Sequence, residues 1–177
     1  MDVKLKRGWW VLPLVAALVI GLDQWTKRLV QTNLGLYETW TPIPALKGWF
    51  EFNYITNTGA AFGLFKNGNL VFIGVAIVVS VVVLYYYWHL PAGEWLLRLA
   101  LGLQLGGAVG NLIDRLRIGN VIDFIHVRYW FVFNLADASL VVGVALMAFL
   151  LLREDVQDRQ AEGKAEGTEE AGEPASG

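Results

Sequence analysis

The sequence predicts an all-α membrane protein with four transmembrane helices and a small extramembrane β-sheet or loop cradle on the outer face. Of its 177 residues, 55% are hydrophobic and 17% are charged, whereas soluble proteins average about 25% charged residues. The mean hydropathy is positive. Four uncharged or nearly uncharged segments approach the roughly 20 residues that an α-helix needs to cross a bilayer. These observations exclude an ordinary water-soluble protein and predict a bilayer as the solvent of most of the chain.

The first predicted helix, residues 9–26, follows the basic residues Lys4, Lys6 and Arg7. Its apolar run ends at Leu22, so it reaches spanning length only when the next polar residues belong to the same helix. A cleaved signal peptide is the alternative, because it also has a basic start and a short apolar run. No small-residue cleavage site follows the run, so we favour a retained helix.

Three further helices are predicted over residues 70–88, 96–113 and 131–152. The second helix has no charge and ends in the aromatic run Tyr85 to Trp88, which is typical of a membrane interface. The third contains one charge, Arg98, and several glycines that allow neighbouring helices to approach closely. The fourth contains one charge, Asp137.

Long connections join the first helix to the second and the third helix to the fourth. Residues 49–55 and 126–133 are rich in aromatic and β-branched side chains, so each is predicted to form a short strand outside the membrane. After Leu152 the chain becomes rich in Glu, Gly and Ala, without apolar periodicity. We predict a transmembrane domain over residues 1–152 and a disordered acidic tail over residues 153–177.

Polar residues gather at one end of the predicted helices. Consecutive helices alternate in direction, so the ends of the first and third helices and the start of the fourth meet at the same membrane face. The polar residues at these three places are Asp23, Lys27, Asn111, Asp114, Arg115, Asn134 and Asp137. Ionisable groups at membrane depth are costly unless they are paired or hydrated, so this cluster predicts a functional site.

Two acids at this face predict hydrolytic chemistry. Asp123 follows the turn Gly119 to Ile122, and Asp137 lies in the first turns of the fourth helix, so both approach the same interface. Two carboxylates held together at low dielectric share one proton, so that one activates water and the other protonates the leaving group, as in aspartic proteases. The alternatives are structural: a turn cap for Asp123 and a helix-dipole contact for Asp137.

Neighbouring polar residues are expected to support this pair. Asp23 and Lys27 have the i,i+4 spacing of an ion pair on one helix face. Asn134 lies three residues before Asp137, where its amide orients that carboxylate or caps the helix.

Three residues at the end of the third helix, Asn111, Asp114 and Arg115, are expected to hold the loop of Asp123, or to contact a substrate backbone or a lipid phosphate. Asn57 lies in the glycine-rich turn Asn57 to Gly63, where it approaches a substrate or simply forms the turn. Gly107 is expected to allow close helix packing beside the site.

Other chemistries have weaker support. The chain has no cysteine, which removes thiolate metal sites and thiol nucleophiles. A metal site would have only His126 to join Asp123 and Asp137. Ser139 lies off the helical face of Asp137 and no lysine is placed to activate it. A channel or transporter would place its carboxylates nearer to mid-membrane or on both faces. No phosphate loop or basic aromatic groove indicates nucleic-acid binding, and we expect no cofactor.

Five motifs occur in a characteristic order along the chain. They are Asp23 to Lys27, Asn57 to Gly63, Gly106 to Arg115, Val121 to Phe124 and Phe133 to Asp137. Through these motifs, residues 9–152 closely resemble lipoprotein signal peptidase, the bacterial signal peptidase II. The acidic tail lies outside the pattern.

The resemblance implies an aspartic endopeptidase of the bacterial cytoplasmic (inner) membrane, with both termini cytoplasmic and the active site towards the outer leaflet. It implies cleavage of diacylglyceryl-modified prolipoproteins immediately before the lipidated lipobox cysteine. The implied partners are this substrate, membrane lipids and inhibitors like the cyclic peptide globomycin. Matched motif by motif, Asp123 and Asp137 become the catalytic dyad. The remaining motif residues become supporting residues, namely Asp23, Lys27, Asn57, Asn111, Asp114, Arg115, Asn134 and Ala136.

Overall fold

The computed structural model describes residues 8–59 and 68–172, which form a bundle of α-helices with a small sheet at one end. The helices are α1 (Val11–Asn33), α2 (Gly68–His89), α3 (Trp95–Ile118) and α4 (Leu135–Gly172). The strands are β1 (Thr39–Trp40), β2 (Phe50–Asn57) and β3 (Val121–Val127), and a short 3-10 turn covers Pro44–Leu46. The prediction of a mostly helical chain with a small sheet is confirmed.

α3 is the central helix of the bundle and packs against α1, α2 and α4. Glycines make this close packing possible on two sides. A methyl group added at Gly106 would lie 2.6 Å from the Cβ of Val19 on α1, and one at Gly143 of α4 would lie 2.8 Å from the carbonyl oxygen of Ala100. Small residues at helix contacts are typical of membrane proteins, where close backbone approach replaces the hydrophobic driving force.

Three helices of the described chain are long and apolar enough to cross a membrane: α2, α3 and residues 135–157 of α4. α1 is long enough to cross a membrane but has too many charges to be counted with these three helices. Every 18-residue stretch within it includes Asp23, Lys27 and Arg28. The bundle surface is nevertheless apolar along α1 as well as along α2. The exposed residues include Leu14, Leu18 and Leu22 of α1, and Val71, Val75, Val78 and Val82 of α2.

The sheet is antiparallel with the order β1-β2-β3, so that β2 lies in the middle. An irregularity in register between Phe52 and Ile55 of β2 brings Ile55 opposite Asp123 of β3. β3 differs from the strand that was predicted over residues 126–133, because it covers Val121–Val127. It ends at Val127 because the backbone turns back at Tyr129, which has a positive φ of 67°, and returns to form a bridge between Phe133 and Ile125.

Helix boundaries also differ from the predicted ranges. α1 continues to Asn33, and α3 continues to Ile118, where Gly119 adopts the left-handed conformation that commonly ends a helix. α4 begins at Leu135 instead of 131, because the bridge of Phe133 to Ile125 holds the preceding residues in extended backbone.

α4 continues past residue 152, the predicted end of the fourth helix, to Gly172. The disorder predicted for the acidic tail stays a prediction. This segment is rich in Ala, Glu, Gln and Arg, which favour helix. An ion pair of 3.0 Å between Arg159 and Asp155 has the i,i+4 spacing that stabilises an exposed helix. Residues 173–177 lie outside the described part of the chain.

Candidate active site

A buried cation, Lys27, lies at the centre of the polar cluster. The residue is 1% exposed, and its ammonium nitrogen lies 2.8 Å from Asp23 Oδ2, 2.8 Å from Asp114 Oδ2 and 3.1 Å from Asn111 Oδ1. An ammonium group has three donors, so each of them has an acceptor here. The i,i+4 pair of Asp23 and Lys27 is present, and Asp114 joins it as a second carboxylate.

The two carboxylates bound to Lys27 also hold the backbone of the segments that contain the predicted acid pair. Asp23 Oδ1 accepts a hydrogen bond of 3.0 Å from the backbone nitrogen of Ala136, which precedes Asp137. Asp114 Oδ2 accepts one of 3.2 Å from the backbone nitrogen of Ile122, which precedes Asp123. Lys27 is therefore connected to both segments through one carboxylate each.

Asn111 forms a third connection, from Lys27 to the side chain of Asp137. Its Oδ1 accepts from Lys27 and from Nδ2 of Asn134, at 3.1 Å in both cases. Its Nδ2 donates to Asp137 Oδ1 at 2.7 Å. The orientation of the Asn111 amide is thereby set, because its oxygen faces two donors and its nitrogen faces a carboxylate.

Asn134 caps α4 and at the same time binds Asp123. Its Oδ1 accepts from the backbone nitrogen of Asp137 at 2.9 Å, and Asp137 Oδ2 accepts from the backbone nitrogen of Asn134 at 3.2 Å, which is a reciprocal capping arrangement. Its Nδ2 donates to Asp123 Oδ1 at 2.7 Å. The predicted capping role is present, but the side-chain amide orients Asp123 and not Asp137.

Asp123 lies on β3, with its carboxylate between two amide donors. Besides Asn134, the side chain of Asn57 donates to Asp123 Oδ2 at 2.9 Å. Asn57 is the last residue of β2, and its own oxygen accepts from the backbone nitrogen of Gly59 at 2.8 Å, which forms the predicted turn. Residues 60–63 of that turn lie outside the described residues.

The environment of Asp123 raises the pKa of its carboxyl above the ordinary value of an aspartate. The residue is 1% exposed, and this burial raises the pKa of the Asp123 carboxyl to about 6. The hydrogen bonds from Asn57 and Asn134 lower this pKa, whereas the negative charge of Asp137 raises it further. The two acids are therefore electrostatically coupled, although they belong to different elements of the fold.

Small residues allow α4 to lie close enough to α3 for these contacts to form. A methyl group at Gly107 would collide with the carbonyl oxygen of Ala136 and would lie 2.7 Å from Cγ of Leu140. A methyl group at Gly110 would lie 2.8 Å from Asp23 Oδ2. Ala136 itself is fully buried. Gly107 and Ala136 thus lie at the closest contact of α3 with α4.

Arg115 is half-buried beside the cluster. Its guanidinium donates to the backbone oxygen of Asn111 at 3.3 Å and lies over the ring of Phe72, 5.1 Å from its centre. Within residues 8–59 and 68–172 it forms no ion pair with an acid. Its guanidinium therefore lies at the edge of the site, where it interacts electrostatically with Asp137, Asp123 and Asp114 without a direct ion pair.

Gln24 belongs to the cluster, although its role was not predicted from the sequence. Its side-chain nitrogen donates to Asp114 Oδ1 at 2.9 Å and to the carbonyl oxygen of Gly110 at 3.2 Å. Gln24 and Lys27 are three residues apart on α1 and therefore lie on the same helix face. This spacing was the signal in the sequence from which its role could have been predicted.

Two residues considered for other chemistries do not join the pair. His126 is an odd number of residues from Asp123 on β3, so it points to the opposite face, where its Nδ1 lies 3.5 Å from Glu51 Oε2. Ser139 donates to the carbonyl oxygen of Leu135 at 2.8 Å. Across the described ranges, no group of three potential metal-binding side chains of His, Cys, Asp or Glu is formed.

Comparison with known proteins gives a consistent result. The family model Peptidase_A8, which describes signal peptidase II, matches residues 15–153. The lipoprotein signal peptidase of Moorella thermoacetica is 47% identical over 139 residues, covering 78% of this chain and 91% of that protein. That of Desulfitobacterium hafniense is 43% identical over 146 residues, covering 82% and 95%. A solved structure of a bacterial membrane enzyme is similar with a TM-score of 0.77 at 30% identity, covering 83% of this chain and 96% of that one.

Proposed function

The chain belongs to the signal peptidase II family, and we propose that it is an aspartic endopeptidase that removes signal peptides from diacylglyceryl-modified prolipoproteins. The relatives' name, lipoprotein signal peptidase, supports the substrate class. The arrangement of Asp123 and Asp137 supports the type of catalysis. Both carboxylates are bound by Asn134, one through its side chain and the other through its backbone nitrogen.

In this proposal Asp123 is the acid and Asp137 is the base. The raised pKa of Asp123 favours a proton on that carboxyl. Asp137 lies at the third position of α4, where the positive end of the helix dipole favours a negative charge, and it is half-buried. A water molecule between the two carboxyl groups would therefore meet one proton donor and one proton acceptor.

The proposed reaction proceeds by two proton exchanges. As water attacks the scissile carbonyl carbon, Asp137 takes a proton from the water and Asp123 gives its proton to the carbonyl oxygen. The result is a neutral tetrahedral intermediate, a diol at the former carbonyl carbon. The proton on Asp137 then passes to the amide nitrogen as the carbon–nitrogen bond breaks, and Asp123 regains a proton from a diol hydroxyl. The pair returns to its starting state.

The supporting residues position the pair in this proposal. Lys27, with Asp23 and Asp114, fixes the backbone before each acid, and Asn111 orients Asp137. Asn57 and Asn134 hold both oxygens of Asp123. Gly107 and Ala136 allow the helices to meet. Arg115, which forms no direct ion pair within the described chain, is suited to contact the polar backbone of the substrate.

We further propose that α1 is a fourth membrane span. Two of its three charges, Asp23 and Lys27, are paired with each other and are 0% and 1% exposed, so lipid does not meet them. The third, Arg28, is exposed near the end of the helix. With four spans, both termini lie on the same side of the membrane and the acid pair lies towards the opposite side. In this proposal the termini are on the cytoplasmic side of the bacterial inner membrane, as the family resemblance implies, and the acid pair lies towards the outer leaflet.

This depth suits a lipidated substrate. The acyl chains of a diacylglyceryl group remain in the leaflet, at about 0.8 kcal/mol for each buried methylene, and hold the neighbouring lipobox cysteine at the interface. The substrate is then delivered laterally to acids that lie at the same depth. A cyclic peptide such as globomycin would inhibit the enzyme by occupying the space between the two carboxyl groups.

Replacement of either acid tests the proposed catalysis. We expect Asp123→Asn and Asp137→Asn each to lower kcat by about 10³-fold or more, because an amide neither gives nor takes the required proton. The measurement is cleavage of a diacylglyceryl-modified prolipoprotein in detergent, followed by gel shift. Glu51→Gln is the control, since Glu51 is an acid of the same sheet that lies beside His126. Near-normal turnover in either aspartate variant would contradict the dyad.

The pH dependence tests which acid holds the proton. Asp123 loses its proton as pH rises through about 6, so kcat/KM is expected to fall above that pH. The hydrogen bond from Asn57 favours the ionised form, so Asn57→Ala should raise the pKa of Asp123 and move this fall in activity to higher pH. Profiles of both proteins would be measured with the same substrate. A fall that stays in place, or moves to lower pH, would contradict the assignment.

The lipid requirement is tested with matched substrates. The same prolipoprotein without its diacylglyceryl group should be cleaved far more slowly, because nothing then holds its scissile bond at the depth of the acids. Both forms are compared in one detergent at equal enzyme concentration. Equal kcat/KM for the two forms would indicate a general membrane protease and contradict the proposed substrate class.

A further inference from the structure

A cavity lies between the ends of α1 and α3, apart from the acid pair. Its volume is about 580 Å³, which lies within the range of small-molecule sites. Lys27 and Asp114 form part of its wall, whereas Asp123 and Asp137 do not line it. The ion pair at the centre of the cluster thus separates this cavity, the α1–α3 cleft, from the proposed catalytic acids.

The α1–α3 cleft has an excess of positive charge. Arg28 of α1 and Arg117 of α3 line it, together with the Lys27–Asp114 pair, in which one positive and one negative charge cancel. Both arginines are exposed, and within the described chain neither forms an ion pair. Two guanidinium groups on neighbouring helices are well suited to bind a phosphate group, because their planar donors match its oxygens.

The depth of the cleft indicates where such a phosphate would come from. Exposed leucines line α1 at Leu14, Leu18 and Leu22, and the cleft begins two residues later, at Gln24. Exposed apolar residues continue along this end of α1 at Trp25 and Leu29. Trp25 and Ile118 line the cleft and are 59% and 44% exposed. Exposed tryptophan next to arginine is typical of the headgroup level of a bilayer. Phosphate at this level belongs to phospholipid, with acyl chains that extend along Leu18 and Leu22.

We propose that the α1–α3 cleft binds the headgroup of an anionic phospholipid through Arg28 and Arg117. The cleft favours an anionic over a zwitterionic headgroup, because its net positive charge attracts an anionic headgroup, whereas the cationic part of a zwitterionic headgroup is repelled by the two arginines. Among the described residues that line the cleft, the single acid is Asp114, which is 3% exposed and already paired with Lys27.

The site is separate from the one proposed for the substrate, whose diacylglyceryl group has no charge. The lipid-binding proposal depends on the proposed membrane position of α1 and does not depend on the proposed proteolytic activity.

The test is native mass spectrometry of the purified protein with phosphatidylglycerol or phosphatidylcholine of identical acyl chains. We expect tighter binding of phosphatidylglycerol. Arg28→Gln should lower the affinity for phosphatidylglycerol about 5-fold. The double variant, Arg28→Gln with Arg117→Gln, should lower it about 30-fold, at roughly 1 kcal/mol for each arginine. Lys47→Gln, which removes an exposed cation from the extramembrane region, is the matched control and should bind as the wild type does.

Two further measurements distinguish this lipid site from a site for free phosphate and from the proposed catalytic site. Excess inorganic phosphate should not displace the lipid, because free phosphate lacks the acyl contacts. The Asp123→Asn protein should bind phosphatidylglycerol as the wild type does, because Asp123 does not line the cleft. Equal affinity for the two lipids, displacement by phosphate, or unchanged binding in the double arginine variant would overturn the proposal. Melting temperatures of all variants show that the proteins compared are folded.

Discussion

The burial of one positive charge governs the arrangement of the polar cluster. Moving a lysine ammonium out of water costs much free energy unless hydrogen-bond acceptors surround it. Lys27 has three such acceptors. Two of these acceptors use their carboxylates to hold the backbone just before Asp137 and just before Asp123. The third, Asn111, binds Asp137 directly. Neutralising Lys27 and positioning the two acids are therefore achieved by the same contacts.

The two acids of the cluster differ because their surroundings differ. Asp123 lies on a strand, where its burial raises the pKa of its carboxyl, although the hydrogen bonds from two amides oppose this shift. Asp137 lies in the first turn of α4, where the helix dipole favours a negative charge. A shared asparagine, Asn134, keeps them together while it caps the helix. Such a pair of unlike carboxyl groups is what the proposed hydrolysis requires.

Much of this arrangement could be predicted from the sequence, because it follows from local rules. Alternating helix directions place Asp23, Asn111 and Asp137 at one end of the bundle, and i,i+4 spacing predicts the pair of Asp23 with Lys27. The partners across elements could not be predicted. Asn57 reaches Asp123 only through the irregular register of β2 with β3, which no local pattern specifies.

The connection from Lys27 through Asn111 to Asp137 is tested most directly by a double-mutant cycle on kcat/KM. Lys27→Gln, Asn111→Ala and the double variant would be compared with the wild type at a temperature at which all four proteins are folded. If Lys27 acts through Asn111, the double variant should be no worse than the poorer single variant, with a coupling energy of about 1–3 kcal/mol. Additive losses, with a coupling energy near zero, would show that the two residues act independently and would contradict the account.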